Sequence, residues 1–403
     1  MRVLPKSGAT YQPPAAGSRL WNRYFVLILL ISSCVNFGNY FLGSSFSLWI
    51  VDMGGSNATY GAIHSVYSIL TLLARPVTGW IVDHGDRRSA FLLSTAVFAS
   101  AMILMLKSPV FGVFVGMRLI QGIGNGCAIT ICNNTAYDFI PPDKMDKGIG
   151  YVTLFSSLIS ATTATASVAT YNRFGPSFLV FWSLAALAVG ALCSFFIVFR
   201  TPVEVKKFRF REVFNFSQLL DRRSAKPALL SALSVYLAFG LRSFIVLYGR
   251  SLGIANPGWF NTISACGLIV VRMVLDRIPK IDKTPARRIY FSYGVFAIYL
   301  LLLTVCSNEI LFFGAALLWS VVFGTLTPQL QSFAIQAAPV ERRGAASSTF
   351  FCASDIGIIL GSFFGGIIAD WAGYPTMFAL AIIPVMFCVV FFTFCMKEFQ
   401  TIA

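Results

Sequence analysis

The residues of this chain that could do chemistry are charged side chains placed inside apolar segments. Counted inward from the ends of those segments, the interior charges are a lone acid and several arginines: Asp355, Arg75, Arg118, Arg242 and Arg272. Charge inside a membrane is costly, so such residues usually mark the path of an ion or a solute. A desolvated carboxyl group without a cationic partner takes up a proton, and a guanidinium binds carboxylate or phosphate through two hydrogen bonds. These residues therefore indicate proton exchange and anion binding.

The composition places these charges in a membrane. Of the 403 residues, 57% are hydrophobic and 12% are charged, whereas a soluble chain carries roughly 25% charged residues. Apolar stretches close to the length of about 20 residues that crosses a bilayer recur along the chain. We predict an all-α integral membrane protein with twelve transmembrane helices, near residues 24–50, 59–80, 90–107, 110–139, 150–170, 176–199, 227–249, 257–275, 289–306, 310–337, 345–368 and 376–396.

The distribution of basic residues predicts the orientation. With the N-terminus in the cytoplasm, most of the 31 Lys and Arg lie on the cytoplasmic side, and the opposite side holds only Lys107, Arg173 and Arg250. This is the positive-inside pattern, and it predicts that both termini of a multi-pass inner-membrane protein are cytoplasmic. The formal charge of +15 then reflects topology and contact with membrane lipid, so we expect no nucleic-acid partner.

Two stretches of the chain are repeated. Residues 55–83, ending LLARPVTGWIVD, correspond to residues 253–276, ending LIVVRMVLD, and residues 137–155 correspond to 335–351. A parallel repeat of six spans predicts two pseudo-symmetric six-helix bundles with a substrate cavity between them. The predicted divisions are an N-terminal tail (1–23), a first bundle (24–199), a basic linker (200–226), a second bundle (227–396) and a C-terminal tail (397–403). The linker could lie on the membrane surface as a helix or serve as a solvated tether.

Catalytic and metal sites are not indicated by the sequence. The 9 Cys are scattered singly, and His64 and His84 have no ligand-like neighbours. We find no nucleophile and base constellation, and no phosphate-binding glycine loop followed by Lys and Ser or Thr. We therefore expect no enzyme activity, no metal and no cofactor, so the driving force must come from an ion or substrate gradient.

Two motifs resemble those of the major facilitator superfamily. GWIVDHGDRR (79–88) resembles its signature loop G-x-x-x-D-x-x-G-R-R, and RLIQGIGNG (118–126) resembles R-x-x-Q-G-x-G-x-G, common among its proton-coupled drug and metabolite exporters. The resemblance runs from the first predicted helix to the twelfth, and it implies a monomer that works by alternating access. Two features depart from the family pattern: Asp86 stands where the loop motif has Gly, and the fifth helix lacks the Gly-Pro pattern of many antiporters.

The resemblance implies roles for several charges. Because helices two and eleven of this superfamily face each other, Arg75 and Asp355 are expected to pair in one access state and separate in the other, and Asp355 would then take up the proton. A permanent structural ion pair is the alternative. Arg118 is expected to take part in proton coupling or, alternatively, to be a structural residue.

The signature loop is expected to form a cytoplasmic gate. Asp83, Arg87 and Arg88 would close the cytoplasmic side, with Asp276 as their counterpart in the repeat. The alternative is a cluster of charge that only sets the topology.

Arg242 is the main candidate for solute binding. Matching NFGNY (36–40) with AFGLR (238–242) puts it in the place of Tyr40, on a helix that lines the cavity in this superfamily. A cavity with a cation and amides, and with no acid on the first helix, suits an anionic or zwitterionic solute. The alternative is a side chain that extends to the outer surface. The predicted substrate-binding residues are Arg242, Asn36, Asn39, Tyr40, Gln121, Asn125 and Gln329.

The sequence thus predicts a secondary active transporter that moves a small organic solute by proton-coupled efflux. One alternative is an anion, organic-acid or metabolite uniporter or exchanger in which Arg242 and Arg75 bind the solute. Another is a membrane enzyme or lipid-handling scaffold, which would need a catalytic constellation in its cavity.

Overall fold

Helices form every regular element in the residues that the structure describes. This computed structural model describes residues 15, 17–107, 111–199, 224–236, 240–277, 285–336 and 343–402. Backbone polar groups in hydrocarbon must be satisfied within the protein, and a helix satisfies them inside a single segment. The predicted all-α class is confirmed.

The first half contains six long helices. They are α1 (Arg23–Asp52), α2 (Asn57–His84), α3 (Arg87–Lys107), α4 (Phe111–Asp138), α5 (Met145–Phe174) and α6 (Pro176–Cys193). The helices described in the second half are α7 (Ala225–Val235), α8 (Ile245–Ser251), α9 (Trp259–Arg277), α10 (Pro285–Thr304), α11 (Glu309–Gln336), α12 (Arg343–Leu380) and α13 (Ile382–Ile402).

Three elements differ from the predicted spans. Within the predicted helix 227–249, α7 ends at Val235 and a 3₁₀ turn, Leu241–Phe244, leads into α8, while residues 237–239 lie outside the described chain. In α12 the helix is kinked at Gly373, whose φ of +80° is readily reached only without a Cβ atom. The last helix continues through residues 397–402, which the sequence analysis assigns to a tail.

Seven segments of the described chain are long and apolar enough to cross a membrane. They are Arg23–Asp52, Asn57–Val82, Arg87–Lys107, Lys147–Phe174, Pro176–Phe196, Glu309–Ala334 and Thr349–Phe394. Many large apolar side chains on these helices are exposed, among them Trp371 and Phe394 at 83%. Such side chains suit contact with lipid rather than water.

The chain divides into two compact units. Unit 1 comprises Met1–Tyr40, Leu73–Ile159 and Ser177–Val213. Unit 2 comprises Phe41–Leu72, Ser160–Pro176 and Phe214–Ala403. Unit 2 therefore contains α7 to α13 and also the adjoining ends of α1, α2 and α5. The two bundles predicted from the sequence stay a prediction, and most of the predicted linker and N-terminal tail lies outside the described residues.

Glycines let α12 approach α7 closely in unit 2. A Cβ atom on Gly361 would overlap the carbonyl of Tyr236, and one on Gly357 would overlap the carbonyl of Ala232. Without a hydrophobic force between helices in lipid, close van der Waals packing of small residues is the main source of association. This packing fixes α12 beside α7.

Gly361→Ala is expected to destabilise the protein, because the added methyl group has no room; overpacking of this kind typically costs about 1–3 kcal/mol. Gly294→Ala on α10 is the matched control, since a Cβ there meets nothing within 4 Å. Thermal unfolding in detergent should show a lower midpoint for Gly361→Ala only. Equal midpoints for the two variants would show that this contact is not tight.

Candidate functional site

Arg242 lies in the seventh predicted span. It belongs to the 3₁₀ turn Leu241–Phe244 between α7 and α8. A stretch of 3₁₀ helix inside a longer helical segment often marks a functional hinge. Arg242 is partly accessible and its neighbours Leu241 and Phe244 are buried. The 3₁₀ turn therefore places a guanidinium inside unit 2.

An amide and two aromatic rings surround this guanidinium. Its Nη2 donates a hydrogen bond to Oδ1 of Asn261 on α9. Its Cζ lies 4.9 Å from the ring centroid of Trp319 and 5.9 Å from that of Phe260. Both rings are almost fully buried, and cation–π attraction strengthens when the cation is desolvated. The cation is thus held mainly by neutral groups.

The guanidinium retains capacity for another acceptor. Its Nε is buried and has no hydrogen-bond acceptor within the described part of the chain. None of the acids in the described residues forms a salt bridge with it. A buried donor left unpaired costs about 1–3 kcal/mol, and more when it is charged. The Nε–H of Arg242 is therefore a buried charged donor that a planar anion, if it reached this edge, would satisfy together with the positive charge.

Aromatic packing fixes the platform beneath Arg242. The Trp319 ring stacks on Phe323 at 5.9 Å, with 5° between the planes, and lies 5.7 Å from the ring of Tyr299. Because these neighbours restrict the indole, the position of the guanidinium above it is restricted too.

The predicted polar residues of unit 1 form local pairs. Gln121 is fully buried and accepts a hydrogen bond of 2.6 Å from Nη1 of Arg118, whereas its Nε2 has no acceptor among the described residues. Asn36 donates to the Ser32 carbonyl one turn earlier in its own helix, at 2.9 Å. The Asn36 amide is therefore engaged within α1, and Arg118 and Gln121 act as one polar pair.

The remaining candidates are placed individually. The Tyr40 hydroxyl lies 3.5 Å from Oγ of Ser156. Asn39 is half-buried and Asn125 is buried. On α11, Oε1 of Gln329 has no donor among the described residues.

The predicted proton-coupling pair lies on α2 and α12. Arg75 is exposed and Asp355 is half-buried. Their pairing stays a prediction.

The arginines of the signature loop are bound within unit 1. Arg87 is buried, donates from Nε to the Val82 carbonyl at 2.7 Å, and forms an ion pair with Asp138 at the end of α4. Arg88 donates to the Ile197 carbonyl at 2.7 Å. Asp138 was missed by the sequence analysis, although it directly precedes the turn that ends the fourth span. The side chains of Asp83, Arg272 and Asp276 lie outside the described residues, so the predicted gate stays a prediction.

A set of contacts that the sequence analysis missed closes one end of unit 2. We call it the end cluster: Asp52, Asn57, Tyr171, Arg250 and Asp370, with Thr165 and Thr262. Asp370 accepts backbone hydrogen bonds from Asn57 at 2.9 Å and from Ala58 at 2.7 Å. These amides begin α2, where free N–H groups and the helix dipole favour a carboxylate. Asp370 therefore ties α12 to the start of α2.

Polar contacts also join α1 to its neighbours in the end cluster. Arg250 of α8 forms a salt bridge of 2.8 Å with Asp52, the last residue of α1. The Tyr171 hydroxyl donates to the same carboxylate at 2.7 Å. Because the Asp52 and Arg250 side chains are exposed, this pair contributes only about 0–1 kcal/mol.

Hydroxyl groups join α5 to α9. Thr262 donates to the Ala161 carbonyl at 2.6 Å, and its hydroxyl also lies 2.6 Å from that of Thr165. Deeper in unit 2, Ser65 of α2 donates to the Ile359 carbonyl of α12 at 2.8 Å. The end cluster therefore combines neutral hydroxyl contacts with hydrogen bonds to the exposed carboxylates of Asp52 and Asp370. The Thr and Ser hydroxyls carry no charge, so the sequence analysis did not identify them. Asp370 could have been identified, because it is the one charged residue between the last two predicted spans.

Comparison with known proteins gives one family. The sequence profile of the Major Facilitator Superfamily matches residues 28–362 and 281–399 of this chain. The staphylopine export protein of Staphylococcus aureus is 23% identical over 378 residues, covering 90% of this chain and 93% of that protein. A chloramphenicol efflux pump of Mycobacterium tuberculosis is 24% identical over 330 residues, covering 77% of each chain.

Solved structures share the fold. A crystal structure of a peptide transporter, POT, in complex with sulfate matches with a TM-score of 0.76 at 13% identity. The match covers 96% of this chain and 97% of that one.

Asp370→Asn should loosen the start of α2, because the amide keeps the shape of the carboxylate but loses its charge and one acceptor. Losing such a cap costs about 0.5–2 kcal/mol. We expect faster hydrogen–deuterium exchange in residues 57–64, measured by mass spectrometry. Asp143→Asn is the control, because that exposed carboxylate accepts from Gly17 far from α2. Unchanged exchange at α2 in Asp370→Asn would contradict the capping role.

Proposed function

Because this chain belongs to the major facilitator superfamily, we propose that it is a proton-driven exporter of a small anionic or zwitterionic organic solute. The chain is a multi-pass membrane protein of a transporter family, and its relatives include proteins named as exporters and efflux pumps. The observation that carries the proposal is the Arg242 site, where a positive charge is held by neutral groups and its Nε lacks an acceptor in the described chain.

The proposed topology follows the basic residues. Twelve spans in two six-span halves would put both termini in the cytoplasm and the protein in the inner membrane as a monomer. The Asp52 end of α1 then faces outward. In this topology the end cluster is the outer gate, in its closed form.

The composition of the outer gate suits alternating access. Its ion pair between Asp52 and Arg250 is exposed and contributes only about 0–1 kcal/mol, and a typical neutral hydrogen bond contributes about 0.5–1.5 kcal/mol net. These contacts could therefore be broken by the binding energy of a solute and formed again after its release. A gate of buried ion pairs would be much harder to open.

The preference for an anion follows from the partners of Arg242. A carboxylate could accept from Nε and Nη2 together, in the side-by-side geometry that a guanidinium favours. A cationic solute would meet an unneutralised positive charge in an apolar setting, which is strongly unfavourable. An aromatic or other flat apolar group beside the carboxylate would suit the rings of Trp319 and Phe260.

Proton coupling is assigned to Asp355, with Arg75 and Arg118 as its modulators. Asp355 is half-buried on α12, the helix that also carries Asp370 of the outer gate. Protonation of a carboxyl group at this depth would change the charge of the helix that closes the gate. No bound cofactor is needed, since the proton gradient supplies the driving force.

Arg242→Gln should lose affinity for carboxylates. The purified protein would be tested by thermal shift with benzoate, succinate and phenylalanine, each beside its neutral-carboxamide analogue. A hydrogen bond to a charged group contributes about 1.5–3 kcal/mol, so we expect a roughly ten- to hundredfold weaker affinity for the carboxylates. Arg242→Lys should retain part of this affinity, because lysine keeps the positive charge but cannot donate two parallel hydrogen bonds to a carboxylate.

The control for this experiment is Arg23→Gln, which changes an exposed arginine at the start of α1. Carboxylate binding that is equal in the parent and Arg242→Gln, or a parent that binds amides as well as acids, would contradict the anion site.

Asp355→Asn should uncouple transport from protons. In proteoliposomes, with benzoate as the solute, the variant is expected to lose flux driven by a pH gradient and to retain solute exchange, because an amide cannot carry the proton. Glu309→Gln, at the exposed start of α11, is the control. If Asp355→Asn matches the parent in both assays, proton coupling at Asp355 is wrong and anion exchange centred on Arg242 becomes the better account.

A further inference from the structure

We propose that Asn261 is a positioning residue that reports the occupancy of the Arg242 site to the outer gate through its neighbour, Thr262. This inference rests on the proposed function, because it assumes that a solute anion binds Arg242. It concerns two consecutive residues at the start of α9, each of which holds a different partner.

Asn261 supplies the acceptor that a solute would replace. Its side-chain oxygen accepts from Nη2 of Arg242, next to the Nε that has no acceptor in the described chain. An ionised acceptor binds a guanidinium about twice as strongly as a neutral one. A carboxylate on the Nε and Nη2 edge therefore competes with the Asn261 amide and displaces it.

Thr262 anchors the same turn of α9 to α5. Consecutive residues of a helix point about 100° apart, so Asn261 can face Arg242 while Thr262 faces α5. The Thr262 hydroxyl donates to the Ala161 carbonyl and lies 2.6 Å from the Thr165 hydroxyl. Asn256, just before α9, donates to the Thr165 carbonyl at 3.2 Å.

The start of α9 packs so closely against α5 that the two helices have little room to move gradually. A Cβ atom on Gly258 would lie 2.6 Å from the Ala164 carbonyl and 2.9 Å from Cα of Thr165. Packed contacts of this kind tend to be made or lost together instead of deforming continuously. The start of α9 therefore has two anchors, Arg242 on one side and α5 on the other.

Solute binding removes the first anchor and so weakens the second. With the site empty, Asn261 holds the start of α9 against Arg242, and Thr262 is aligned with α5. When a carboxylate binds the guanidinium in place of Asn261, the first turn of α9 is no longer held against Arg242. The outer gate then opens more easily. A ligand shifts such an equilibrium only by binding one state more tightly. Coupling of this kind is reciprocal, so loosening the Thr262 contacts must strengthen solute binding at Arg242.

Asn261→Asp tests the first half of the proposal. The substitution is nearly isosteric and places a permanent carboxylate beside Arg242, which imitates an occupied guanidinium while keeping α9 attached. We expect benzoate affinity to fall by roughly tenfold or more. Benzoate should also no longer change hydrogen–deuterium exchange in residues 160–174. Asn308→Asp is the matched control, because Asn308 caps α11 through the Leu311 amide.

Thr262→Val tests the second half. It keeps the shape of the side chain and removes both hydroxyl contacts with α5. We expect faster exchange in residues 160–174 without any solute, together with tighter benzoate binding, an effect that a merely structural role would not produce. Thr304→Val is the control, because among the described residues that hydroxyl bonds only to the Leu300 carbonyl of its own helix.

The outcomes separate this inference from the proposed function. If Arg242→Gln binds benzoate as the parent does, or if the parent does not bind benzoate, the proposed anion site at Arg242 is wrong. The proposed coupling through Asn261 and Thr262 is then wrong as well. If Arg242→Gln loses binding while Asn261→Asp retains it, Asn261 does not compete with the solute. If Thr262→Val raises exchange but leaves benzoate affinity unchanged, the two anchors are not coupled.

Discussion

The solvation of one guanidinium in an apolar interior constrains much of unit 2. Arg242 is held by the amide of Asn261 and the faces of Trp319 and Phe260, groups that stabilise a cation without neutralising it. Its side chain extends from the 3₁₀ turn that leads into α8. Glycines of α12 pack closely against α7, just before this turn. A carboxylate solute would complete the site.

The ends of the two units are held in different ways. In unit 1, the start of α3 is tied to the end of α4 by the buried ion pair of Arg87 and Asp138. In unit 2, the end cluster combines hydroxyl contacts, the capping carboxylate of Asp370 and the exposed ion pair of Asp52 and Arg250. Breaking a buried ion pair is strongly unfavourable, whereas an exposed ion pair or a neutral hydrogen bond can be exchanged at small net cost. This difference suits an end cluster that opens and closes during transport.

Much of the fold could be predicted from the sequence, because apolar length and basic residues directly reflect the bilayer. The helical class and the helices of the first half followed from those patterns, and the motifs at 79–88 and 118–126 indicated the family. The 3₁₀ turn at Arg242 was not predictable, since Leu, Ser and Phe around it are compatible with a regular α-helix. Arg242 itself was identified by its charge, but Asn261 and Trp319 were not, because contacts between helices depend on packing that a single sequence does not specify. For the same reason the end cluster was missed: its Thr and Ser residues also occur throughout ordinary membrane helices.

The most direct test is an experimental structure of the protein determined with benzoate at saturating concentration. The measured quantity is the distance from the carboxylate oxygens to Nε and Nη2 of Arg242. We predict that both oxygens lie within hydrogen-bond distance of that edge, above the ring of Trp319, and that the Asn261 side chain no longer contacts Arg242. A carboxylate bound elsewhere, with Asn261 still accepting from Arg242, would contradict it.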